Sequence, residues 1–326
     1  MDLFADTAEQ YREFALDTRD YSPCFDDWST RVAGDAEVLA WLERLPVPKR
    51  QPNIVFAAAR WHGVPAPGPY DGLREALLGD DGTIVATILG RSTQTNEVGR
   101  LATLVPAFAL AAGDGPIALI EVGASAGLNL YPDRYSYAWR TPSGVRRAGD
   151  GPELDSDVTG AAPLPAAVPA VAWRGGVDLN PLDVTDDDQM RWLSFLIWPE
   201  HAERRERLTR AVEVARTDPP ALVRGNLLEE LPALVDAAAR RAPVVVFHSA
   251  VIAYLSEDDR DRFRSLMTEL VAAGRCHWVS NEAPNVLPGV TATGAVPAGA
   301  RGFVLGLDGQ ALAMAHGHGR WLRWLA

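Results

Sequence analysis

The first ninety residues place apolar side chains at helical spacing, in stripes separated by turn residues. Tyr11, Phe14 and Ala15 share one helical face, and Thr7 with Gln10 reads as a capping-box pair ahead of them. Val38, Leu39, Leu42 and Leu45 form a second stripe, opened by Asp35 and stopped by Pro46. "QPNIVFAAARWHG" begins with proline and ends at Gly63, the asymmetry expected of a helix. "YDGLREALLGDDG" predicts a short helix ended by glycines. "TQTNEVGRLATLVPAFALAAGDG" predicts a longer one, kinked by Pro106. Residues 1–90 are therefore expected to form an N-terminal helical cap, and no strand is predicted before Gly115.

After Gly115 the pattern changes. "IALIEVG" (117–123) is a short apolar run stopped by glycine, as in a buried parallel strand. "AVAWRGGVDLNP" (170–181), "ALVRGN" (221–226), "PVVVFHS" (243–249) and "RCHWVSNE" (275–282) are further candidates, several of them separated by helical stretches. Alternation of strand and helix argues a parallel sheet covered on both faces. In the tail, Asp308-Gly309 stands between two apolar runs, a hairpin signal that predicts an antiparallel pair at the C-terminal end of the sheet. Residues 141–170, rich in Pro, Gly, Ala and Asp, read as an inserted loop. The expected organisation is thus α/β: a helical region over 1–90, then a sheet domain over 91–326 with an insertion at about 131–170.

Composition narrows the function. Formal net charge is −12, from 31 Lys and Arg against 43 Asp and Glu, and no basic stripe is visible. That balance opposes phosphate neutralisation, so no nucleic-acid partner is expected. The apolar runs are too short to span a membrane. The N-terminus lacks a secretory pattern, and Cys24 and Cys276 have no metal-ligand spacing. The expectation is a cytoplasmic protein with a small-molecule substrate and no structural metal. Composition says nothing of the oligomeric state.

Candidate chemistry centres on "EVGASAGLNL" (121–130). Gly123-Ala124-Ser125-Ala126-Gly127 matches the G-x-S-x-G turn of serine esterases. Against that, such a turn follows several strands, whereas the upstream region reads as helical, and Pro65 after His62-Gly63-Val64 has no N–H for an oxyanion hole. A dinucleotide fingerprint would need glycine where Ser125 and Leu128 stand. The same stretch is close to the acidic, glycine-rich first loop of S-adenosylmethionine (SAM) methyltransferases. There, Gly123 and Gly127 let backbone approach a ligand, Ala124 and Ser125 are small, and Glu121 faces a cation from the end of its strand. Asp178, at the end of the second strand, is placed to accept from ribose hydroxyls, or to serve as a turn or cap residue. Asn226 after the third is a candidate adenine contact, or a helix cap. His248, at the mouth of the fourth, is the first candidate base and Glu282 the second, with a structural histidine as the alternative for His248.

"RSTQTNEVGR" (91–100), "LIEVGASAGLNLYPDRYSY" (119–137), "RGGVDLNPLDV" (174–184), "VVVFHSAVIAYLS" (244–256) and "WVSNEAP" (278–284) together resemble a bacterial domain-of-unknown-function family grouped with class I SAM-dependent methyltransferase-like proteins. The resemblance covers roughly residues 5–325. It implies a Rossmann-like methyltransferase sheet and SAM as cofactor, but no substrate. The most direct expectation is a methyltransferase of a small molecule; non-catalytic binding of SAM or a nucleoside is the second, and an esterase using Ser125 the third. Thr93, Gln94, Thr95, Asn96, Glu97 and Arg100, with Tyr135 from the insertion, are candidates for a lid over cofactor or substrate, and Arg91 or Arg100 for a carboxylate. The stretch 91–100 reads equally as a capped helix start.

Overall fold

The computed structural model describes residues 6–94, 96–113 and 115–325. Its helices are α1 (Thr7–Thr18), α2 (Pro23–Val32), α3 (Ala36–Leu42), α4 (Pro52–Trp61), α5 (Tyr70–Leu78), α6 (Thr83–Gly90), α7 (Leu101–Ala112), α8 (Asp187–Leu196), α9 (Ala202–Thr217), α10 (Leu227–Ala239), α11 (Glu257–Ala272) and α12 (Pro288–Thr291). Its strands are β1 (Ile117–Val122), β2 (Ser136–Thr141), β3 (Gly144–Ala148), β4 (Glu153–Thr159), β5 (Val171–Asp178), β6 (Ala221–Arg224), β7 (Val244–Ser249), β8 (His277–Glu282), β9 (Phe303–Leu307), β10 (Gln310–Ala315) and β11 (Trp321–Trp324). The chain divides into two compact units, Met1–Thr95 with Asp186–Glu206, and Asn96–Thr185 with Arg207–Ala326.

The first unit is helical. Ser22 caps α2 by accepting from the Phe25 N–H, and Pro23 supplies a preset φ at the first position. Asp35 caps α3 through the N–H groups of Glu37 and Val38. The capping box expected at Thr7 is not formed: Thr7 is the first helical residue, and the preceding Asp6 makes no side-chain cap bond. Aromatic rings fill the core, with Phe56 edge-on to Tyr11 and to Trp28. Arg91 lies over the rings of Trp61 and Trp192 and pairs with Asp188, so its charge is engaged within this unit.

The second unit is mixed α/β. It is built on an 11-stranded sheet in the order β3-β2-β4-β11-β10-β9-β8-β7-β1-β5-β6, mostly parallel with antiparallel strands. From β6 to β8 every pairing is parallel. Ala118, Ile120 and Val122 of β1 pack with α10 and α11 on one face, and α7 lies on the other, where Phe108 meets Phe247 of β7. β1 is buried along its whole length, which explains its uninterrupted apolar sequence.

Two expectations change. The Asp308-Gly309 hairpin forms between β9 and β10, with both turn residues at positive φ, but it is interior, since β11 and then β4, β2 and β3 extend the sheet beyond it. Residues 141–170, expected as a loop, contribute β3, which closes a hairpin with β2, and β4. Arg174 ties this insertion down: it pairs with both oxygens of Asp133, donates to the Leu130 carbonyl and stacks over Tyr131. Among the described residues no helix is long and apolar enough to cross a membrane.

Candidate functional site

After β1 the chain builds β2–β4 at the far edge of the sheet, then adds β5 and β6 on one side of β1 and returns to β7 on the other. In open parallel sheets such a reversal leaves a crevice at the carboxyl ends of the two diverging strands. Here those ends are Glu121-Val122 and His248-Ser249.

The loop after β1 is tightly wound. Gly123, Ser125 and Gly127 all have left-handed φ, of 69°, 51° and 68°. For serine that conformation is disfavoured and persists only where the surroundings impose it. A Cβ on Gly123 would lie 2.5 Å from both methyl carbons of Val251, so the close approach here is to protein. One on Gly127 would lie 2.9 Å from Pro220 Cγ. The loop's donors are equally committed. Gly123 and Ala124 N–H donate to the Val177 carbonyl, Ser125 N–H to Asp178 Oδ2, Gly127 N–H to the Ala124 carbonyl, and Leu128 N–H to Asn96 Oδ1. A phosphate cradle needs such donors open, so the loop does not offer one.

Strand register sorts the remaining side chains onto two faces. Glu121 is paired with Phe247, which faces α7, and by alternation Ser249 and its partner Asn281 face the same way. On this face Glu121 is buried. Its Oε1 accepts from Asn129 Nδ2 at 3.0 Å, while Glu121 Oε2 and Asn129 Oδ1 are buried with no hydrogen-bond partner among the described residues. Burial pushes the carboxyl up to about 8, against the Asn129 hydrogen bond and the charge of Arg100, with Asp178 adding to the rise. Arg100, also buried, donates from Nη1 to the Ser249 carbonyl and from Nε to the Gly317 carbonyl. Asn281 Nδ2 donates to Ser249 Oγ, and its Oδ1 has no partner among the described residues.

The opposite face holds His248 and Glu282, both buried. His248 Nδ1 is 2.7 Å from Glu282 Oε1, and Trp278 Nε1 donates to His248 Nε2 at 3.0 Å. The tryptophan can only donate, so Nε2 is the acceptor and the proton sits on Nδ1. Neither ring nitrogen is open to a substrate. Glu282 Oε1 also accepts from the N–H groups of Val251 and Ile252, while its Oε2 is buried with no partner among the described residues.

Asp178 holds two backbone groups, the N–H of Ser125 through Oδ2 and that of Asn180 through Oδ1. Asn226 is exposed and caps α10 through the Leu228 N–H. The stretch 91–100 divides between the units. In the first, Thr93 donates to Gln51, and Gln94 is half-buried. In the second, Asn96 holds the glycine loop, and Glu97 accepts from Gly99 N–H and Arg207. Thr95 lies outside the described residues. Tyr135 is buried ahead of β2, its hydroxyl without a partner among the described residues and its phenol raised by burial. Asn129 and Asn281 were not singled out by the sequence. The available signal was an amide in a strand or loop that is otherwise apolar and buried. No group of three or more His, Cys, Asp or Glu placed to hold a metal occurs among the described residues.

Over residues 8–324 the chain matches the model of a family described as "uncharacterized protein conserved in bacteria (DUF2332)", and it belongs to that family. The description assigns no chemistry and makes no link to methyltransferases. No curated protein and no solved structure matches the chain.

Proposed function

We propose that the second unit is a Rossmann-like, class I methyltransferase-type domain that binds SAM at the crevice between β1 and β7, and that its activity is methyl transfer to a small molecule. The observation that carries this is the buried pair Glu121 Oε2 and Asn129 Oδ1, neither with a hydrogen-bond partner among the described residues, at the point where the strand order reverses. A ligand with a donor-rich cation compensates both oxygens, and SAM carries an ammonium group. Asp178 retains lone pairs for ribose hydroxyls. Leu179 beside it is 75 % exposed, and Tyr254 beyond β7 is 69 % exposed, giving apolar surface for a nucleoside. Lack of a phosphate cradle suits a ligand without phosphate.

SAM supplies an electrophilic methyl group on a sulfonium. The chain's part is binding and alignment. Glu121 and Asn129 receive the ammonium, Asp178 holds the nucleoside end, and Arg100 fixes the turn after β7 through the Ser249 carbonyl. Of the two candidate bases, Glu282 keeps an unshared oxygen, and His248 acts by positioning it.

The second reading is binding of SAM or a nucleoside without turnover. It is favoured by the closure of both His248 nitrogens. An esterase has less support: among the described residues Ser125 Oγ has no hydrogen-bond partner, so none of their histidines stands where a nucleophile's base must.

Thermal unfolding with SAM and with S-adenosylhomocysteine tests the cofactor. At about 100-fold over Kd, a ligand binding only the native state adds about 2.7 kcal/mol, roughly a several-degree rise. No rise with either compound at millimolar concentration would remove the assignment. Once binding is established, methyl transfer to candidate acceptors separates the first reading from the second.

A further inference from the structure

We propose that Glu121 and Asn129 form a proton-linked receptor for an ammonium group: the ligand's cation enters as the carboxyl proton of Glu121 leaves to solvent. This rests on the SAM reading and concerns how the amino-acid end of that ligand is held.

The geometry sets out the requirement. Asn129 Nδ2 donates to Glu121 Oε1, which orients the amide and leaves its Oδ1 as a pure acceptor beside the carboxyl group. The in-register neighbours of Glu121 on β7 and β5 are Phe247 and Gly176, which carry no charge. The charged groups that act on it are Arg100 and Asp178. Arg100 is turned toward the carbonyls of Ser249 and Gly317, and Asp178 opposes a second negative charge. Without a ligand, burial therefore keeps the proton on Glu121 at neutral pH, with the carboxyl raised to about 8.

An ammonium group has three donors and no acceptor. It finds two acceptors in Glu121 Oε2 and Asn129 Oδ1 only when Oε2 carries no hydrogen. A buried cation against a neutral acid would also lack a counter-charge. The balanced step is a carboxylic acid plus a ligand ammonium giving a carboxylate–ammonium pair and one proton in solvent. No covalent bond to the ligand forms.

Isothermal titration calorimetry at pH 6.5 in two buffers of different ionisation heat reads the released proton directly. The probes are SAM and 5′-methylthioadenosine, which keeps the nucleoside and lacks the amino-acid end. SAM should release close to one proton, and its affinity should rise about tenfold per pH unit between pH 5.5 and 7. Methylthioadenosine should release none. Glu121→Gln should abolish the release and flatten the pH dependence of SAM binding while methylthioadenosine still binds. The wild-type measurement decides without any variant. SAM binding with no proton released overturns the receptor and leaves the cofactor pocket standing. Binding of neither nucleoside overturns both.

Discussion

The carboxylate of Asp178 holds the backbone of Ser125: Oδ2 accepts the Ser125 N–H at 2.8 Å, across 53 residues of chain. The end of β5 thus sets the shape of the loop that follows β1. Its other oxygen accepts from Asn180 N–H, so one side chain braces both turns. Asp178→Ala should lower stability by about 1.5–3 kcal/mol, the range for hydrogen bonds to a charged group, and weaken SAM binding as well. Asp178→Asn keeps an acceptor for one turn and should recover part of the stability but less of the affinity. Urea unfolding beside calorimetric SAM binding separates the two effects. An alanine variant with wild-type stability would show that the loop holds its shape unaided.

Gly123 is needed for its contact with Val251 as well as for its φ. A Cβ placed there meets Val251 Cγ1 and Cγ2 at 2.5 Å. Gly123→Ala should cost roughly 1–3 kcal/mol from overpacking and from the left-handed φ. Val251→Ala in the same chain should return part of that loss, giving a coupling of at least about 0.5 kcal/mol between the two sites. Strictly additive losses in a double-mutant cycle would place the cost in the backbone alone.

How much of this was legible varies with the element. β1 was, because a strand buried on both faces needs an unbroken apolar run, and Gly123 ends it. β4 was not. Its inward residues are Leu154, Ser156 and Val158, and its outward ones Glu153, Asp155, Asp157 and Thr159. Serine in the inward row and a run of acids outside hide the alternation. α2 has a good start signal in Ser22-Pro23, but its buried face, Cys24, Phe25, Trp28, Ser29 and Val32, is blurred by a cysteine and a serine. At the candidate site, Glu121 and Asp178 could be picked out by their positions at strand ends, and Ser125 by its place between two glycines. The closure of His248 could not, since Trp278 lies 30 residues further on and reaches the ring only through the β7–β8 register. Asn281 likewise gains its place from pairing opposite Ser249.

His248 is therefore expected to matter for structure. Its ring packs against Phe263 and Trp278 and satisfies one donor and one acceptor. His248→Phe should cost about 2–4 kcal/mol, because it leaves the Trp278 N–H and part of Glu282 unpaired in the interior. His248→Gln offers a donor and an acceptor and should restore part of the loss. SAM affinity of any folded variant should stay within about threefold of wild type, on the order of one neutral hydrogen bond or less. A variant of normal stability that no longer binds SAM would put the imidazole at the ligand after all.

Ser125 separates a binding loop from a nucleophile. Its hydroxyl is buried, with no partner among the described residues. Removing such a group from the interior is close to neutral or stabilising. Ser125→Ala should keep the melting temperature at or slightly above wild type and SAM binding within about 1 kcal/mol. A fluorophosphonate should not label the wild type. Stoichiometric labelling at Ser125, absent from Ser125→Ala, would restore the nucleophile reading.

The last prediction concerns Glu121 without any ligand. Its carboxyl is raised from 4.5 to about 8 by burial, so the folded state keeps a proton that the unfolded chain has already lost. Between pH 4.5 and 8 the native state binds more protons than the unfolded state, and stability falls as pH rises. The contribution is fully favourable below about pH 4.5, declines through the interval and levels off above about pH 8. Carried over that whole gap, the loss is on the order of 5 kcal/mol. Other groups titrate in the same window, so the comparison must be with Glu121→Gln, which keeps the shape and the Asn129 contact but cannot ionise. The two proteins should have similar stability at pH 5, and the glutamine variant should become the more stable one progressively toward pH 8.5. Urea unfolding at pH 5, 6.5 and 8.5 measures the divergence. A difference that stays constant across that range would mean that Glu121 is already ionised in the native protein, and that its charge is met by a partner other than the ligand.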